Sequence, residues 1–225
     1  MARVLVFDVN ETLLDLAALR DPFTRAFGEA PPLGEWFARL LHGSLVATVT
    51  DSYEDFASIG RRALDAVASR RGRELRAAER DAILGTMLEL PAHPEVPDAL
   101  SRLRSAGFPL ATLTNSSPGM ARAQLEHAGI LELFDHVLSV EEVRRYKPAP
   151  EPYHMAAERL GVAPSEMRMV AALDWDVWGA MRAGCAAAYV RRIDVPFVVG
   201  RAPELIGSDL SAVADAIIEV DQPSR

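Results

Sequence analysis

The sequence predicts an α/β fold: a doubly wound, mostly parallel sheet whose first strand is followed by an inserted helical cap domain. Three observations carry this. Short β-branched apolar runs alternate with longer amphipathic stretches through the second half of the chain, the pattern of parallel strands joined by helices. Each run ends in a turn signal or in polar residues. Between the first run and the second lie about ninety residues with no convincing strand, far more than a connection needs, so that stretch must be structure in its own right.

The strands are expected at residues 4–7, 109–113, 136–138, 167–171 and 187–190. Within residues 15–93 the apolar positions recur at helical spacing, as in Leu40, Leu41, Ser44 and Leu45 and then Phe56, Ile59, Leu64 and Val67, with Gly and Pro mostly at the breaks. Pro91-Ala92-His93-Pro94 marks the return. Residues 1–14 and 94–225 therefore read as the core domain and 15–93 as the cap. Residues 208–220 read as a terminal helix capped by Ser208 or Asp209. No internal repeat or low-complexity segment is visible.

Composition narrows the function classes. With 225 residues, 49% of them hydrophobic, the chain can bury one sizeable core and carry a small inserted domain. A net charge of -8, with no basic cluster beyond pairs such as Arg61-Arg62, argues against nucleic acid as a partner. The single cysteine, Cys185, cannot form an intrachain disulfide and reads as a small buried residue. Asp8 interrupts the opening apolar run too early for a signal peptide, and no stretch is apolar enough to span a bilayer. A soluble, cytoplasmic protein is expected.

In a sheet of this kind ligands gather at the carboxyl ends of the strands. The first strand ends in Phe7-Asp8-Val9-Asn10-Glu11-Thr12. A carboxylate there, followed by a turn and a hydroxyl, can be held exposed as a nucleophile, although taken alone it is more readily a turn cap. The second strand ends in Thr114-Asn115-Ser116 ahead of a helix start, groups able to bind an anion or simply to cap the helix. Lys147, stiffened by Pro148 and Pro150, can be aimed at a fixed spot, whereas most lysines are mobile surface charges. After the fourth strand come Trp175 and Asp176; Asp176 can orient the lysine, and Trp175 can wall an apolar pocket or fill core.

Taken in this order, Asp8 and Thr12, Thr114-Asn115, Lys147-Pro148 and Asp176 with Gly179-Ala180 resemble the four motifs of the haloacid dehalogenase superfamily, over essentially the whole chain. The resemblance implies a Rossmann-like core with a mobile cap, and chemistry through an aspartyl-enzyme intermediate. Phosphatases of the superfamily carry a second aspartate two residues after the nucleophile and a magnesium-binding aspartate directly after the fourth strand; here those positions are Asn10 and Ala172. An amide cannot protonate a leaving alkoxide, and alanine offers a metal no carboxylate. Halide displacement needs neither. The sequence thus resembles type II L-2-haloacid dehalogenases most closely, with no metal or other cofactor expected.

That resemblance implies Asp8 as nucleophile towards a short 2-haloacid, Lys147 holding it ionised, Asp176 positioning Lys147 and helping to activate water, and Thr12 and Thr114 donating hydroxyl hydrogen bonds. Asn10, Asn115 and Trp175 fall on the halide or substrate side, and Tyr153 falls where these enzymes have a site tyrosine, if it is not merely a half-buried helix aromatic. Their halide-receiving cap arginine aligns with Phe37; Arg39 lies two positions on, about 200° around a helix. Both are carried as substrate-side candidates. Ala171 and Leu173 replace the family's serine and asparagine. A homodimer is implied as well. A metal-dependent phosphatase and a non-catalytic binding protein on the same scaffold are the competing readings.

Overall fold

Strand ends meet at one edge of a six-stranded, all-parallel sheet in this computed structural model, which describes residues 3–193 and 195–221. The elements run β1 (Val4–Phe7), α1 (Arg20–Phe27), α2 (Leu33–Val49), α3 (Phe56–Arg70), α4 (Ala77–Thr86), α5 (Val96–Ser105), β2 (Leu110–Thr114), α6 (Pro118–His127), β3 (His136–Ser139), α7 (Pro150–Leu160), β4 (Met167–Ala171), α8 (Asp174–Arg182), β5 (Ala186–Val190), β6 (Leu205–Gly207) and α9 (Leu210–Asp221). The spatial order is β3-β2-β1-β4-β5-β6. Chain direction across the sheet therefore reverses between β1 and β4, and a crevice opens outside their carboxyl ends.

Every residue of β1, β2 and β4 is buried, as expected of strands covered by helices on both faces. Phe7 pairs with Thr112 on one side and Val170 on the other, which brings the residues after β1, β2 and β4 to one level. The second strand begins one residue later than the sequence suggests, because Pro109 supplies a carbonyl to Leu5 but has no N–H for the ladder. The sequence reading misses β6. Three residues with Ile206 facing solvent carry no periodic signal; β6 exists because β5 offers it an edge, Ala188 pairing with Leu205.

Residues between β1 and α5 are helical, as the spacing requires. Leu14 bridges to Ala92, Asp15 donates to the Pro91 carbonyl at 2.9 Å, and His93 donates to the Leu13 carbonyl at 3.0 Å, so the outgoing and returning chains are stitched together where the sequence changes character. Helices α2 and α3 pack closely: the Trp36 indole donates to the Gly60 carbonyl at 2.9 Å, and a Cβ on Gly43 would come within 2.7 Å of the Ile59 side chain. The expected α3 face, Phe56, Ile59, Leu64 and Val67, is buried. On α2, Leu40 and Ser44 are buried, but Leu45 lies on the solvent side with Val46 and Val49, a correction to the apolar face drawn from spacing alone.

At the other end of the sheet, Arg168 of β4 is buried and binds both oxygens of Asp221, its Nε 2.5 Å from Oδ2. This pair clamps α9 to the strand. The cap of α9 is Asp209, whose Oδ1 accepts the Ala212 N–H at 2.8 Å.

Candidate active site

Asp8 follows directly on β1, where its backbone N–H still bonds the Val170 carbonyl of β4. One carboxylate oxygen accepts the Thr12 hydroxyl at 2.7 Å, and the Thr12 oxygen in turn accepts the Ala172 N–H at 2.9 Å. The other accepts the Lys147 ammonium at 2.9 Å. Lys147 is fully enclosed, and its remaining two protons go to the Leu113 carbonyl at 2.8 Å and to Asp176 Oδ2 at 2.6 Å. All three ammonium donors are thus spent, which fixes Nζ in place.

Asp176, in the first turn of α8, has no exposed surface. Its second oxygen accepts the Tyr153 hydroxyl at 2.6 Å. Close approach of α7 and α8 makes this possible: a Cβ on Gly179 would lie 2.5 Å from Pro148 and 2.7 Å from the Tyr153 hydroxyl. Burial pushes the Asp176 carboxyl up to about 6, against the pull of Lys147. Burial alone would lower Lys147, but Asp176 and Asp8 outweigh it and hold the ammonium above the ordinary lysine value. Burial and Asp176 raise the Tyr153 phenol well above its usual range, so it stays a donor.

Asp8, Thr12, Lys147, Asp176 and Tyr153 therefore form one connected constellation. Asn115 joins it by accepting the Lys147 backbone N–H at 3.3 Å. The Thr114 hydroxyl oxygen serves its own loop, accepting the Ser116 N–H at 3.1 Å, rather than meeting Asp8. Asn10 is buried and engaged on both ends of its amide, by Ser116 at 3.3 Å and by Gln124 at 3.2 Å. Gln124 also donates to the Met87 carbonyl at 2.6 Å, tying α6 to the end of the helical insert. Sequence reasoning offered Ser116 as an anion-binding or capping group and missed Gln124, Glu11 and Arg192. Glu11 lies in the loop after β1 and Arg192 follows β5, so the strand-end rule could have found these two; Gln124, in mid-helix, carries no such signal.

Beside the strand ends lies a cavity of about 670 Å³, with Phe37, Leu16, Leu173 and Ala172 among its walls. Phe37 faces it. Arg39 does not: it lies around the helix, its Nε 3.3 Å from Glu35, which corrects its place among substrate-side residues. Trp175 is half-buried in the first turn of α8 and is likewise absent from this wall. Glu11 does line the cavity, from a backbone φ of +70° that side chains other than glycine rarely adopt. Burial, with Asp15 beside it, raises its carboxyl. Arg192 donates to the Thr12 carbonyl at 2.7 Å and to Glu95 at 2.5 Å, pinning the segment after β5 to the nucleophile loop.

The side chains do not suit a divalent cation: Ala172 offers no carboxylate, and both Asp176 oxygens are engaged by Lys147 and Tyr153. Among the described residues no cluster of three or more His, Cys, Asp or Glu side chains is arranged to hold a metal. No described helix is long and apolar enough to cross a membrane.

The sequence profile of the haloacid dehalogenase-like hydrolases matches residues 2–184. The chain belongs to that family. Among relatives of this haloacid dehalogenase-like hydrolase, (S)-2-haloacid dehalogenase 1 of Pseudomonas sp. (strain CBS-3) is 34% identical over 90% of each chain, and (S)-2-haloacid dehalogenase 4A of Burkholderia cepacia is 32% identical over 84% of this chain and 83% of its own. The solved structure of the L-2-haloacid dehalogenase of Xanthobacter autotrophicus with chloropropionic acid covalently bound superposes with a TM-score of 0.90 at 26% identity, covering 98% of this chain and all of the other. A predicted phosphoglycolate phosphatase from Haemophilus somnus shares the fold, with a TM-score of 0.65 at 20% identity.

Proposed function

We propose that this hydrolase cleaves the carbon–halogen bond of 2-haloalkanoic acids through an ester on Asp8, without a metal. The supporting observation is the enclosed Lys147 ammonium between Asp8 and Asp176, beside the two positions, Asn10 and Ala172, that lack the acids a phosphatase of this superfamily needs. The similarity to (S)-2-haloacid dehalogenases favours the same reading.

In the first step an Asp8 oxygen attacks the halogen-bearing carbon from behind; a C–O bond forms as the C–X bond breaks, and halide leaves with the electron pair. Lys147 and Thr12 orient the attacking carboxylate, and burial strips it of competing water. In the second step water adds to the Asp8 ester carbonyl; one water proton goes to the departing oxygen to give the 2-hydroxyacid, the other passes to solvent, and the water oxygen stays on the Asp8 carboxylate. Asp176 acts through Lys147 as a positioning residue, since it binds the ammonium directly and has no surface open to water. Residues 15–93 are the cap that excludes solvent.

The test is halide release from 2-chloropropionate and 2-bromopropionate after treatment with a chelator, together with single turnover in ¹⁸O water. Release should occur, vanish in Asp8→Asn, and leave ¹⁸O in the peptide containing Asp8. Turnover of a phosphate ester that requires magnesium and Asp8, with no halide release, would overturn the reading.

A further inference from the structure

The cavity beside the strand ends is too large for a three-carbon acid. A 2-halopropionate has six non-hydrogen atoms, roughly 180 Å³ at about 30 Å³ each, whereas the cavity measures about 670 Å³. Its walls are mostly apolar: Leu16, Leu33, Phe37, Leu173, Tyr189 and Val198 all face it. The charges around it do not make a second anion site. Arg20 and Arg192 are set against Glu11, Asp15 and Asp174, and Arg192 is already spent on Glu95 and the Thr12 carbonyl.

Asp8 is not itself in the cavity wall, but the inner end comes within two hydrogen bonds of it. Ala172 lines the cavity, its N–H binds the Thr12 oxygen, and Thr12 donates to Asp8. The outer wall is anchored. Asp174 accepts the Val198 N–H at 3.2 Å, and Phe197 meets Tyr189 edge-to-face with ring centres 5.3 Å apart. At the same wall Ile193, Val195 and Val198 stand 61%, 50% and 76% exposed, an apolar surface that a ligand's hydrocarbon would cover.

We infer that this compartment receives an apolar tail carried on the 2-position of the substrate, so that the preferred acids are extended ones, of about six to eight carbons, rather than two- or three-carbon acids. The inference rests on the reaction proposed above for the chemistry at Asp8, but its binding component can be measured separately.

The experiment has two arms on the full chain. Calorimetric titration with unreactive butanoate, hexanoate and octanoate should give a Kd that falls roughly two- to fourfold per added methylene, the full-burial value being about fourfold. Halide release from 2-bromopropionate, 2-bromohexanoate and 2-bromooctanoate should give kcat/KM rising along the same series. A ramp in binding without any halide release would uphold the compartment and sink the reaction. Affinity that is flat or falls with chain length overturns the compartment, whatever the halide assay gives. As a second check, the double variant Val195→Glu/Val198→Glu, both at exposed positions, should lower the octanoate-to-butanoate affinity ratio about tenfold; an unchanged ratio would place the tail elsewhere and also overturn the inference.

Discussion

Replacing Lys147 by methionine keeps the stem and much of its volume but removes the ammonium from between two carboxylates. The three side chains of this triad are 0%, 8% and 0% exposed for Lys147, Asp8 and Asp176, so water cannot substitute for the lost partner. Breaking a buried pair from one side costs about 3–5 kcal/mol. For a chain of this size that corresponds to a fall in Tm of about 6–20 °C. The cost should depend on pH, and its sign follows from linkage. With Lys147 present, Asp176 already titrates near 6, raised by burial; without it, the pair of carboxylates takes up a proton more readily still. The folded variant then holds a proton that an unfolded carboxylate, titrating near 4, does not, so the variant regains stability as pH falls from neutrality towards 4. Urea denaturation of both proteins at pH 7.5 and pH 5 measures this directly. The variant should be destabilised by about 3 kcal/mol or more at pH 7.5 and by at least about 1 kcal/mol less at pH 5. A cost below about 1 kcal/mol at pH 7.5, or an equal cost at both pH values, would refute the claim that Lys147 neutralises a buried diacid.

Halide release should fall about tenfold per pH unit below about 6, where Asp176 gains a proton and no longer balances Lys147; a pH–rate profile of Asp176→Asn should lack that limb. In Asp221→Ala, Arg168 is left buried without its carboxylate, so urea denaturation should register a loss of about 3–5 kcal/mol while kcat/KM per folded molecule stays within about twofold, because Arg168 lies three residues before the site end of β4. Glu11→Gly should raise stability by about 1 kcal/mol, since glycine accepts φ +70° without strain and a half-buried carboxyl is removed; a lower Tm would show that the Glu11 side chain stabilises the loop instead.

Much of this protein is local, and therefore legible in the chain. Strands β1 to β5 announce themselves as short apolar runs, and the helices before α5 by their period, because burial on one face or on both imposes those patterns. Asp8, Thr12, Lys147 and Asp176 are equally legible, since each lies within five residues of a strand end or stands in a proline-stiffened turn, and a parallel sheet brings strand ends together whatever lies between them. What only the tertiary structure decided concerns direction and mutual commitment. Helical spacing puts Phe37 and Arg39 on different sides of α2, but it cannot say which side meets the cavity; packing of α2 against its neighbours turns Phe37 inward and leaves Arg39 with Glu35. Thr114 and Asn10 look like ligand-binding groups as residue types, yet their polar atoms are claimed by Ser116 and Gln124, partners set by the loops and helices that happen to converge there. The short strand β6 and the Arg168–Asp221 clamp exist only because distant segments meet, with nothing in their own few residues to demand it. Sequence periodicity records how a segment is buried; the identity of what buries it, and hence the size and lining of the cavity, belongs to the assembled fold.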